Sequence, residues 1–121
     1  MSPVPIYLLL GGAAALGVHL GYNRLTRRRS RPEVVGLHLL FGAASLEPLL
    51  ITLHGGVAGS GVKAPVFGLL AAGFIAAALV TGLLGVVAGR TSRRASNLTL
   101  CVHAVLALSA LAMTAAWGLG L

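Results

Sequence analysis

The chemistry open to this 121-residue chain rests on very few side chains: His19, His38, His54, His103, Glu47 and Asn97. Each lies inside or at the edge of a strongly apolar stretch. An ionisable group kept within a membrane segment is expensive, and so marks a site by default.

Three of the imidazoles share a level. His19 stands a few residues before the end of the first apolar stretch, His38 about four residues into the second and His103 about five into the fourth. With ~1.5 Å of rise per helical residue, all three lie on the order of 5 to 10 Å from one membrane boundary. Two imidazoles at one depth can bind a haem iron from opposite faces. A porphyrin also needs small neighbours. Gly42 and Ser45 follow His38 on the same face, Thr99, Ala107 and Ala110 flank His103, and Gly12 and Ala15 precede His19.

In a bundle of consecutive antiparallel helices the second and fourth are diagonal. His38 and His103 are therefore the expected iron ligands of a b-type haem, with Gly42 and Ala107 beside the ring. His19 then becomes a hydrogen-bond partner, a replacement ligand or a proton carrier. Zinc competes for three histidines, but such sets come with carboxylates behind the ligands, and only Glu33 lies within a turn. Histidines that merely hydrogen-bond across helices or reach toward an interface are the plain alternative.

Glu47 is different. It precedes Pro48 and, at ~100° per residue, lies on the opposite face of its helix from His38. His54, seven residues on, returns to the Glu47 face. The two could start a proton path or line a quinone pocket. Equally, Glu47 could be a protonated carboxyl that satisfies the carbonyl freed by Pro48, or pair with a neighbouring subunit. Small proton-coupled exporters have four helices and similar length, but their glutamate is in the first helix and this one is in the second.

The elements that must position these groups follow from composition. The chain is 57% hydrophobic and 9% charged, which no soluble surface accommodates. Its apolar residues form four runs, about 4–22, 34–53, 65–89 and 98–121, each near the ~20 residues that cross a bilayer. An unpaired backbone group in lipid costs several kcal/mol, so such runs are helical, and without alternating polar positions they are not barrel strands. The expected fold is a single all-α membrane domain over residues 1–121, a four-transmembrane-helix up-down-up-down bundle. The cations of the first run follow its apolar stretch, so an uncleaved first helix is expected rather than a signal peptide.

Arg24, Arg27, Arg28, Arg29 and Arg31 lie in the first connection and Arg90, Arg93 and Arg94 in the third, while the glycine-rich second connection holds only Lys63. The positive-inside rule puts the arginine loops in the cytoplasm and both termini outside, as in a bacterial inner membrane. A net charge of +7 and a pI near 11.5 could suggest nucleic acid. All the arginine sits against the membrane, however, where anionic headgroups or haem propionates are the nearer partners of Arg24, Arg27, Arg28, Arg90 and Arg93. Cys101 is the sole cysteine and excludes an intrachain disulfide. Seventeen glycines, including the GxxxG steps Gly17/Gly21 and Gly85/Gly89, favour close helix packing, with the third helix as the main packing face.

In histidine level and overall shape the chain is similar to small four-helix b-type membrane cytochromes, in outline over its whole length and through no shared motif. In two-haem members of such families each outer-side ligand needs a partner, and His54 has none. The resemblance implies a membrane subunit that binds haem b and carries electrons between quinone and a partner protein. No phosphate loop and no serine-histidine pairing is present, so a self-contained enzyme is not expected. A cofactor-free accessory subunit of a larger membrane complex and a proton-coupled transporter using Glu47 are the other functions this sequence allows.

Overall fold

Proline and arginine decide where the helices begin and end. The computed structural model describes residues 4–55 and 65–119, which form α1 (Val4–Leu25), α2 (Pro32–Gly55), α3 (Pro65–Ala88) and α4 (Arg93–Gly118), with no strand among the described residues. The second connection, with Gly56, Gly59, Gly61 and Lys63, lies outside the described residues, as does the end of the fourth run at Leu121. All four helices are long and apolar enough to cross a membrane, as expected of an all-α integral membrane protein.

Pro32 and Pro65 occupy first helical positions, where a missing N–H costs nothing. The end of α1 is closed by two bonds, from Arg28 N–H to the Asn23 carbonyl at 2.7 Å and from Arg27 N–H to the Arg24 carbonyl at 3.2 Å. This paired closure needs a left-handed residue, and Arg27 supplies it at φ 57°. The fourth helix starts five residues earlier than its apolar run. Ser92, at φ −148° and ψ 122°, accepts a hydrogen bond from Ala95 N–H at 3.3 Å and caps the helix. Arg93 and Arg94 are therefore helical rather than in a loop, and so is Arg24 at the end of α1.

Consecutive helices pack on one another, α3 and α4 most closely. Two α3 glycines and Gly89 just after the helix make that approach possible: a Cβ on Gly82 would meet His103, on Gly85 Leu100, and on Gly89 Ser96. Of the GxxxG step on α1, Gly17 faces another helix and Gly21 meets nothing. By contrast, α1 and α4 touch little along their length and are bridged near their ends. Tyr7 O–H donates to the Thr114 carbonyl at 3.4 Å, and Arg24 donates to Ser96 and Asn97.

The apolar core is confined to the half of the bundle away from the arginines. Ile6, Leu10, Leu49, Leu53 and Ile75 are buried there, flanked by Leu111 and Trp117. In the arginine-side half no aliphatic side chain larger than alanine is buried among the described residues. Outward faces carry exposed apolar side chains such as Leu8, Val18, Leu69 and Val105, a surface that suits hydrocarbon and not water.

Candidate functional site: an imidazole pair across the bundle

His38 on α2 and His103 on α4 meet inside the bundle, with ring centroids 5.8 Å apart and planes inclined at 76°. Both are half-buried. Each ring is held by the helix before its own. His38 Nδ1 bonds the Ala13 carbonyl of α1 at 2.8 Å, and His103 Nδ1 bonds the Ala78 carbonyl of α3 at 2.7 Å. A carbonyl can only accept, so both Nδ1 atoms carry a proton. Neither Nε2 has a protein partner among the described residues, and neither is sealed from its surroundings.

Glycine seats each ring. A Cβ at Gly17 would stand 3.0 Å from His38 Cε1, and one at Gly82 would stand 3.1 Å from His103 Cε1. Both are tighter than ordinary contact, so any larger residue would displace the imidazole. The carbonyl and the glycine lie one helical turn apart on the same face of the supporting helix.

The two halves of the site share one spacing. Ala13, Gly17 and His38 correspond to Ala78, Gly82 and His103 at a constant offset of 65 residues, and Arg28–Arg29 corresponds to Arg93–Arg94 at the same offset. Two similar hairpins thus contribute one imidazole each.

The donor set suits a haem iron. An imidazole ligand commonly donates its other N–H to a backbone carbonyl, which fixes both tautomer and ring orientation. Gly42 and Ala107, expected beside the ring, are half-buried, and the Gly42 face is met by Leu79. No group of three or more histidine, cysteine or acidic side chains that could hold a metal occurs among the described residues. His38 and His103 are thus a set of two imidazoles.

The other candidate residues lie apart. His19 is exposed and does not join the pair; its Nε2 accepts from the Asn23 side-chain amide at 3.1 Å. The convergence of three imidazoles expected from depth alone fails because His19 lies on the outer face of α1, whereas Ala13 and Gly17 face α2. Glu47 and His54 are both exposed on α2, and His54 Nδ1 donates to its own helix at Leu50, 2.8 Å away. Glu47 has no hydrogen-bond partner among the described residues, so it does not cap the carbonyl freed by Pro48.

At the arginine end Arg24 donates from Nη2 to Asn97 Oδ1 at 2.7 Å and to Ser96 Oγ at 2.9 Å, while Ser96 O–H donates to the Gly85 carbonyl at 2.8 Å. One buried serine thus ties α1, α3 and α4 together. Ser96, Ala13, Gly17, Ala78 and Gly82 carry no chemical signature in the sequence, since small residues recur throughout these helices. No protein-family model, curated protein or solved structure matches this chain. Function must therefore be argued from the site.

Proposed function

We propose that the chain is a small membrane subunit that holds a b-type haem between His38 and His103 and carries electrons between a membrane quinone and a partner protein. One observation carries the reading: two imidazoles from different helices, both with Nδ1 committed to a carbonyl, lie with ring centroids 5.8 Å apart. His38 and His103 would together hold the group, which would supply electron transfer there. Gly17 and Gly82 fix the rings. In this reading the arginine-rich ends face the cytoplasm, both termini face outward, the membrane is a bacterial inner membrane, and Glu47 and His54 on the outer half of α2 are the groups available to a quinone.

The test is the visible spectrum of the full chain purified from haem-sufficient cells, before and after dithionite. A sharp reduced α-band is expected, and it should vanish in His38→Ala and in His103→Ala while far-UV circular dichroism shows the helices intact. A colourless wild-type protein, or a red His103→Ala protein, overturns the assignment.

A second reading has its own observation. Glu47 is exposed in the middle of a lipid-facing helix, where an uncompensated carboxyl is costly. A polar group on another subunit would relieve that cost, and a cofactor-free accessory subunit would then show Glu47-dependent association and no colour.

A further inference from the structure

Five arginines converge on one open hollow at the polar end of the bundle. Arg24, Arg27, Arg28 and Arg29 approach from the end of α1 and the first connection, Arg93 from the start of α4, and Gly89 forms the floor at the end of α3. The hollow has a volume of about 520 Å³ and no carboxylate lines it. The only acidic residues of the chain, Glu33 and Glu47, lie elsewhere.

Membrane topology alone does not ask for this. Arg31, Arg90 and Arg94 already mark the same end without lining the hollow, and the positive-inside rule counts cations without requiring them to converge. Bringing guanidinium groups together raises their mutual repulsion, which a bound anion removes. The backbone adds an independent sign. The left-handed position that closes α1 favours glycine, yet it holds Arg27 at φ 57°. A residue kept at a conformational cost where a better one exists points to function. Arg27 is followed directly by Arg28 and Arg29, so the turn fans three guanidinium groups around one rim.

We infer that this hollow is a binding site for a phosphate polyanion at the membrane surface. Guanidinium matches phosphate oxygens in paired, charge-assisted bonds, and basic pockets beside transmembrane helices take diphosphate headgroups. The same chemistry is offered by an anionic phospholipid carrying two phosphates and by a soluble polyphosphate. Arg24 belongs both to the hollow and to the bridge from α1 to Ser96 and Asn97, so an anion there would bear on the seam between α1 and α4.

The experiment uses the full chain in phosphatidylcholine nanodiscs and compares two charge-matched variants, Arg27→Gln with Arg28→Gln, and Arg90→Gln with Arg94→Gln. Binding of inorganic pyrophosphate is followed by calorimetry, and retention of cardiolipin over phosphatidylcholine by native mass spectrometry. The first variant should weaken binding by about tenfold or more, the loss expected for charge-assisted bonds, and the second should leave it nearly unchanged. Cardiolipin retained without pyrophosphate binding assigns the lipid source, and pyrophosphate bound assigns the soluble one. Equal weakening by both variants would mean that net charge alone is read, and that overturns the site. Failure to bind either probe overturns it as well. A third variant separates structure from recognition: Arg27→Gly should raise the melting temperature while lowering anion affinity, and a fall in both would make Arg27 a structural residue only.

Discussion

His38 and His103 are each held by a proton, a carbonyl and a glycine, and the glycine is the part most open to test. Replacing Gly17 or Gly82 by alanine sets two effects against each other. Alanine in a helix gains roughly 1 kcal/mol over glycine. Overpacking a close contact costs typically 1 to 3 kcal/mol, and the imidazole must yield because the new Cβ would lie 3.0 or 3.1 Å from Cε1. The net change in stability should be small, at most about 2 kcal/mol of loss. The ring, however, must move relative to the carbonyl that orients it. Haem content per purified protein is therefore expected to fall several-fold in Gly17→Ala and in Gly82→Ala, by similar amounts because the two positions are equivalent. Unchanged haem content in both would mean that the glycines do not seat the ligands. At this scale the sequence was half legible. Histidine in an apolar run is visible, and diagonal helices at one depth bring His38 and His103 together. What stayed hidden was direction: His19 shares the level but lies on the outer face, and one sequence does not reveal which face of a uniformly apolar helix turns inward.

The four helices were legible because hydrocarbon imposes length and backbone satisfaction on any span. Their ends were less so, since hydropathy stops at the first polar residue and helices do not. Arg93 and Arg94 read as loop by polarity but are helical by capping, with Ser92 accepting from Ala95 N–H. Ser92→Ala should therefore cost about 0.5 to 1 kcal/mol. The low end of the cap range is appropriate because the bond is 3.3 Å long and exposed, so water replaces part of it. The loss is expected in equilibrium unfolding of the detergent-solubilised protein, together with faster amide exchange at Ala95. No change in either would mean that α4 is held by packing on α3 alone. Such packing is available: Gly82, Gly85 and Gly89 admit His103, Leu100 and Ser96 along the helix.

As a whole the molecule is two hairpins of one design, and that bears on its orientation. Arg28–Arg29 and Arg93–Arg94 occupy equivalent positions, so each hairpin carries its own orientation signal and the two signals agree. A chain with opposed signals could insert either way, whereas here reversal would move both arginine clusters to the other surface at once. The apolar core adds no preference, since it is buried within the bundle whichever end faces inward. Orientation thus rests on arginine alone and can be read with one reagent. In a Cys101→Ser background, a cysteine at Ser30 should be blocked by a membrane-impermeant maleimide only after the cells are opened. A cysteine at Ser60, in the second connection, should be blocked in intact spheroplasts. The reverse pattern would put the arginine ends outside, and labelling of both in intact cells would mean that the two hairpins insert without a fixed direction.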